Sequence, residues 1–529
     1  MEPETHASPA SKPKTVLTGR VLWCISVISM GAIFWGYDIG VISTILVAPG
    51  FKAALKNPSA SETGTITAIF YLGQFVGYGF LAGPVNNRLG RRWAGAVGVV
   101  ILCVGAALQA GAIHLAMMII GRIIAGLGTG IVSCSVPLYL SEISPAHVRG
   151  AFVATNQLGI VFGISMAFWI GYGFSFWDTG SGVDLQWRLS VIMQFIPAII
   201  FLIGVPTLPE SPRWLVSQDR MEDAVKALTK LRGKDHPDAI QAELDEIHAN
   251  IMWHKQYSVT STKVFFTDKA LWSRLWRAWA ISFLQQMSGA GGIRYYLPTN
   301  FRAAGTSETL SLLASGLDGT VQVGCTAAGI FLIDRIGRRH ALGGGAIIMA
   351  FCLLVSPLHL FTALYQARFL TSARIKINGA LQLAYPNQSN ASANYCNIFF
   401  IFFFTVGYSI GFGPCAWIYS SEIFPAHVRS KGLGISVTGQ SIGSIIVGQV
   451  WPVAVERIGP RTYFIFMAFN IFGALLVYST FPETKNKTLE ELDSQFGSCN
   501  IQFPEGGVTK EVEGGDREHV EIVGEDKRH

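Results

Sequence analysis

SEISPAHVRG at residues 141–150 returns as SEIFPAHVRSKG at residues 421–432, and each copy closes an apolar stretch long enough to cross a membrane. The neighbours of the two copies repeat as well. RLGRR at 88–92 precedes the first and DRIGRR at 334–339 the second. Pro209-Glu210-Ser211-Pro212-Arg213 follows the first, and Pro482-Glu483-Thr484-Lys485 follows the second. The order is the same in both halves, so the chain is a duplicated helical unit. Two such units facing each other in a bilayer form a gated pathway for a solute.

The composition demands a membrane. The chain has 529 residues, 50% of them apolar and 14% charged, with 34 Phe and 57 Gly. A soluble domain could not cover that much apolar surface with so few charges. A hydrocarbon core roughly 30 Å thick needs about 20 apolar residues per helix. Scanning predicts twelve spans, near 22–47, 63–83, 93–112, 115–140, 150–174, 188–208, 276–299, 308–332, 341–364, 396–420, 433–455 and 461–481. The expected units are a tail at 1–21, a six-helix bundle at 22–208, a charged linker at 209–275, a second bundle at 276–481 and a tail at 482–529. In the linker, 221–233 and 238–253 have the spacing of short surface helices. The tail is Gly- and charge-rich after Glu505 and is expected to be disordered.

Charge gives orientation. Arg88, Arg91, Arg92, Arg149, Arg335, Arg338, Arg339, Arg429 and Lys431 fall in the even-numbered connections, which predicts that these and both termini are cytoplasmic. Arg368, Arg374 and Lys376 in the ninth connection oppose the rule. The net charge of +6 is spread over helix ends and forms no groove-sized face, so nucleic acid is not an expected partner. No cleavable signal is evident, and the first helix should act as its own insertion signal. Asn387-Gln388-Ser389 and Asn390-Ala391-Ser392 are candidate glycosylation sites on the outer side, at Asn387 and Asn390. The eight cysteines have neither metal nor disulfide spacing. With no phosphate loop or nucleophile–base constellation in the connections, neither an enzyme nor a cofactor is expected. Gly126-Leu127-Gly128-Thr129-Gly130 lies in an apolar helix and reads as close helix packing.

These motifs resemble the sugar porter family of the major facilitator superfamily, in the style of fungal hexose or quinate carriers. They are Gly36-Tyr37-Asp38, Asn87-Arg88-Leu89-Gly90-Arg91-Arg92, Gly121-Arg122, Pro209 through Leu215, Gln285-Gln286-Met287-Ser288-Gly289 with Tyr295-Tyr296, and Pro482-Glu483-Thr484-Lys485. The resemblance implies an all-α membrane protein of major facilitator fold, with twelve transmembrane helices in two six-helix bundles around a central cavity. It implies alternating access for a monosaccharide or related polyhydroxy compound by a monomer in the plasma membrane, with protons as a candidate second solute. A quinate or sugar-acid carrier, a secondary-metabolite carrier and a nutrient sensor that moves no solute are the alternatives.

By the same resemblance, Gln157, Gln285, Gln286, Gln322 and Gln440 supply amides to the substrate and Trp417 a stacking face. Interhelical bonding is the other use of a membrane glutamine. Asp38 is expected beside Arg122, either as a proton-coupling carboxylate or as a fixed ion pair. Arg91, Arg92, Arg338 and Arg339 are expected to meet Glu142, Arg149, Glu422 and Arg429 at the cytoplasmic helix ends and latch the two bundles together. Asn86-Asn87 stands where the family has Asp, which predicts a weaker first latch.

The pocket departs from the family at Gly291, Gln322, Ala416, Gln440 and Ser441, and the small residues at 291 and 441 predict a larger pocket. Arg294 stands where the family has an apolar residue. Late in its helix, it is expected to snorkel to the outer interface. Facing the cavity, it would clamp a carboxylate.

Overall fold

The structure is a computed structural model that describes residues 19–145, 149–177, 180, 182–233, 237–257, 263–303, 306–355, 391–425, 428–485, 487 and 496. The candidate glycosylation sites and most of both tails lie outside these residues. Ten described helices are long and apolar enough to cross a membrane, a set that includes helix 10 taken across its break and leaves out helices 7 and 9. Helices 1 to 6 are Gly19–Ile45, Ala60–Leu89, Arg91–Ala110, Leu115–Ile143, Arg149–Phe174 and Gly182–Thr207. Helices 8, 11 and 12 are Glu308–Ile336, Arg429–Ile458 and Thr462–Thr480. Helix 9 is Arg338–Val355. Together with the two broken helices described next, they make the twelve-helix major facilitator fold.

Helices 7 and 10 are broken. Helix 7 runs over Lys269–Met287, stops at Gly289 (φ 90°), and resumes as Ala290–Tyr295 and Leu297–Ala303. Its first segment starts seven residues before the expected position 276. Helix 10 is Ala391–Ile410 and Phe412–Glu422, interrupted at Gly411. Hydropathy cannot register such breaks, because both sides of each stay apolar.

Glycines set the packing distances. A Cβ on Gly126 would stand 2.1 Å from the Phe70 carbonyl oxygen, and one on Gly128 would stand 2.5 Å from the Leu102 nitrogen. Helix 4 therefore lies directly on helices 2 and 3, as the glycine run suggested. Helices 1 and 5 meet in the same way, at Gly36 against Ile160 and Gly163 against Ile33. Without water in the bilayer, such close backbone approach is what draws helices together. Phe80, Ile203, Phe331 and Leu475 are exposed on the outer faces, where lipid would cover them.

The linker folds into Pro212–Ser217, Met221–Arg232 and Pro237–Tyr257, with its own small core of Trp214, Leu215, Leu228, Ile240 and Leu244. Arg232 ties it to the first half, donating to the Ile143 carbonyl at 2.9 Å while pairing with Glu243 at 2.8 Å.

The halves meet at one end. Ser43 donates to the Arg294 carbonyl at 3.0 Å, and Arg302 to the Val47 carbonyl at 3.2 Å. The Tyr296 hydroxyl lies 2.9 Å from both Thr67 and the Gly448 carbonyl. Gln449 joins Thr65 and Ser61, each at 3.2 Å. Nearer the middle, Trp169 donates to Thr320 at 2.9 Å. Among the described residues, no side-chain hydrogen bond or ion pair joins the halves at the end that carries the Gly-Arg-Arg turns.

Candidate functional site

The repeated motifs build one clasp per half. Gly90 (φ 84°) and Gly337 (φ 97°) hold a backbone conformation that disfavours a side chain, and a Cβ on either would meet a carboxylate oxygen, at 2.5 Å and 2.7 Å. Those carboxylates are Glu210 and Glu483. Glu210 accepts from the Arg91 and Arg92 backbone N–H groups at 3.0 and 3.4 Å, and Glu483 from Arg338 and Arg339 at 2.9 and 3.0 Å. Each sits on the exposed N–H groups that open a helix, where a negative charge is favoured. Arg91 then grips Glu142 at 2.8 and 3.0 Å, and Arg338 grips Glu422 at 3.2 and 2.9 Å. Ser211 donates to Glu142, and Thr484 donates to Glu422 at 2.6 Å.

Burial distinguishes the two clasps. It pushes the Glu210 carboxyl up, and the N–H groups of Ser211, Arg92 and Arg91 offset this only in part. Burial also works to raise Glu483. There the N–H groups of Lys485, Arg338, Arg339 and Thr484 outweigh it and hold the carboxyl below its ordinary value.

This corrects the expected latch. Arg91 with Glu142, Arg92 with Glu210 and Arg338 with Glu422 are pairs inside a half, not between halves. The Gly-Arg-Arg turn and the Ser-Glu helix end are neighbours in the same bundle, so these pairs close within one half. Arg339 donates to the Tyr478 carbonyl and Arg429 to the Phe424 carbonyl, again within the second half. The side chain of Arg149 lies outside the described residues. Asn86 donates to Ser135 at 3.0 Å within the first half.

Asp38 and Arg122 pair at 2.8 Å with almost no exposure. Arg122 has further support from the Ile66 carbonyl at 3.3 Å and the Phe70 ring at 4.4 Å. The Oδ1 of Asp38 has no hydrogen-bond partner among the described residues.

The glutamines divide. Gln285 donates to the Phe412 and Gly413 carbonyls at 2.9 and 3.1 Å, so its amide hydrogens hold the break in helix 10 and only its oxygen stays free. Gln286 is buried against helix 11, where a Cβ on Gly443 would stand 2.9 Å from its own. Gln440, three residues before Gly443, is half-buried, as are Trp417 on helix 10 and Gln157 on helix 5. No hydrogen bond links Gln157, Trp417 or Gln440 to another described side chain.

Gln322 lines a separate recess with Ile293, Arg294, Asp318, Thr405 and Tyr408. Two expectations change there. Arg294 does not reach the outer interface: its guanidinium carbon stands 4.8 Å from the Tyr408 ring centre, inside the recess. The break at Gly289 re-aims the segment that carries it. Nor does Gly291 enlarge the pocket. A Cβ there would already be 3.1 Å from Gln286 Oε1 and from the Tyr295 ring, so those side chains occupy the space. Asp318, buried on helix 8, escaped the sequence reading, although an acid within a membrane-length apolar run is the signal that marked Asp38.

The sequence pattern of the family described as "Sugar (and other) transporter" matches residues 23–496. The chain belongs to that family. It is 33% identical to the MFS-type transporter criB of Aspergillus cristatus, over 90% of this chain and 93% of that one. It is 31% identical to the high-affinity glucose transporter of Kluyveromyces lactis (94% and 90% covered) and to a protein of Neosartorya fischeri named "Probable quinate permease" (92% and 90%). Among solved structures, it is similar to the proton:xylose symporter XylE bound to 6-bromo-6-deoxy-D-glucose. That match has a TM-score of 0.71 and 25% identity, over 91% of this chain and 100% of that one. The inward open conformation of XylE from E. coli matches with the same score and identity, over 90% and 99%. These relatives are membrane transporters, and the fold and the multi-pass membrane setting of this family member agree with theirs.

Proposed function

We propose that the chain carries a monosaccharide or related polyhydroxy compound across a membrane by alternating access. One observation carries the reading: two duplicated halves are each braced by their own clasp, and among the described residues their mutual side-chain hydrogen bonds lie at one end and near the middle, away from the clasps. Between them lies a face with amides at Gln157, Gln286 and Gln440 and the indole of Trp417. A solute that must give and accept several hydrogen bonds fits such a lining. The basic end with the clasps faces the cytoplasm by the distribution of arginine and lysine, so the described arrangement is closed outside. Both termini are then cytoplasmic and the membrane is the plasma membrane. In this reading the linker joins the two bundles, the ninth connection carries glycans at Asn387 and Asn390, and the monomer is the working unit.

The Asp38–Arg122 pair is the coupling site in this reading. Asp38 takes a proton from outside, loosens from Arg122, and so links proton entry to solute entry. The similarity to a proton:xylose symporter supports it.

Arg294 in the recess favours a second reading, a hydroxylated acid such as quinate held through its carboxylate. Uptake of neutral sugars, a polyol and quinate by a transport-deficient host, with and without a proton uncoupler, tests both. Flux of any of these compounds above the empty host supports a carrier, and its collapse with uncoupler supports coupling. No flux for any compound, with the protein present in the membrane, would leave the sensor reading.

A further inference from the structure

Arg294 and Asp318 bring opposite charges to one recess without touching. No hydrogen bond or ion pair within 4.0 Å joins them, although both line the same small space beside Gln322. Asp318 is buried, and among the described residues its Oδ1 has no hydrogen-bond partner. Arg294 spends one face of its guanidinium on the Tyr408 ring. A buried carboxylate oxygen without a donor is costly, so its persistence points to a group that arrives from elsewhere.

The charges decide what that group is. A carboxylate would satisfy Arg294 and be repelled by Asp318. An ammonium would satisfy Asp318 and be repelled by Arg294. A hydroxyl does both jobs, donating its hydrogen to the Asp318 oxygen and accepting from Arg294. Arginine keeps its proton at any physiological pH, and Asp318 is the acid that lines the recess with it. Gln322, one turn along helix 8, adds an amide for a second, adjacent hydroxyl.

We infer that Arg294 and Asp318 form a subsite for a hydroxyl group of an uncharged polyhydroxy substrate, with Asp318 excluding substrates that bear a carboxylate. The assignment rests on the carrier reading and chooses between its two substrate classes.

The test compares uptake of glucose, xylose and sorbitol with uptake of glucuronate and quinate, in a transport-deficient host and normalised to protein in the membrane. Wild type should prefer the best neutral compound over either acid. Asp318→Asn leaves Arg294 unbalanced and should move the neutral-to-acid ratio toward the acids by about tenfold or more, the scale of one uncompensated charge in a shielded site. The double variant Arg294→Met/Asp318→Asn restores a neutral recess and should lose neutral uptake without gaining acid uptake. It also serves if Asp318→Asn alone fails to reach the membrane. A wild type that prefers the acids, or an Asp318→Asn or double-variant profile unchanged from an active wild type, overturns the subsite while leaving the carrier. A wild type inert toward all five compounds overturns both.

Discussion

Arg91 holds Glu142 through two hydrogen bonds, at 2.8 and 3.0 Å, and both residues belong to the first half of the chain. Arg338 and Glu422 repeat the arrangement in the second half. Charge-assisted bonds of this kind, partly shielded, contribute roughly 1.5–3 kcal/mol each. Each clasp therefore stiffens its own bundle, and a rocking motion of the halves can leave both intact.

Because the clasps are separate, their losses should add. Glu142→Gln and Glu422→Gln should each lower the melting temperature in detergent, and the double variant should lose the sum, as distant independent sites do. Thermal melts of the three variants check this. A double variant no worse than the worse single one would instead mean a shared latch across the halves.

Acid should release the second clasp late. The Glu483 carboxyl is held below its ordinary value of 4.5, so its contribution is complete above that value and is lost as pH falls through the lowered pKa. Glu483→Gln should melt below wild type near neutral pH, with the gap closing as pH drops below 4.5. Melting curves across that range read the gap. A difference that is the same at every pH would show that the charge of Glu483 does not stabilise the clasp.

The clasps were legible in the sequence as signals but not as partners. Gly90 and Gly337 mark turns because their backbone conformation excludes a side chain, and that requirement is local. Which carboxylate Arg91 meets depends on how helices 3 and 4 lie together, and linear spacing carries no such information. Arg294 failed for a different reason. Its direction follows from the break at Gly289, and helical periodicity does not continue across a break. Gln285 is expected at the substrate by resemblance, yet its donors go to the carbonyls freed near Gly411, a demand that exists only once helix 10 has broken. Asp318 carries the same signal as Asp38, an acid within an apolar run of membrane length.

Gly292 is where helix 7 docks on helix 11. A Cβ there would stand 1.9 Å from the Trp451 ring, closer than any real contact. Gly292→Ala must push Trp451 aside and should cost about 1–3 kcal/mol, as overpacking does. Trp451 also reaches Asn300 at 3.4 Å, so the disturbance spreads into the end where the halves meet. The variant should melt lower and widen label distances between helices 2 and 11 at the Gln449 end. Trp451→Leu in the same chain should recover part of both. No change in either reading would mean that helix 7 is not seated on Trp451.

The Asp38–Arg122 pair should respond unequally to loss of its two members. Arg122 keeps the Ile66 carbonyl and the Phe70 ring after Asp38→Asn, and the asparagine side chain can still accept its hydrogen. That variant should fold, exchange substrate and fail to accumulate it against a gradient, if Asp38 carries the proton. Arg122→Met leaves a carboxylate buried with no cation, a change that typically costs about 3–5 kcal/mol. It should express poorly and regain stability when Asp38→Asn is added, because the uncompensated charge is then gone. Accumulation assays in vesicles with an imposed proton gradient, beside melts of the single and double variants, separate coupling from architecture. Uphill uptake that survives Asp38→Asn would make the pair a brace only, while failure of the second substitution to rescue Arg122→Met would mean that the arginine matters for more than neutralising Asp38.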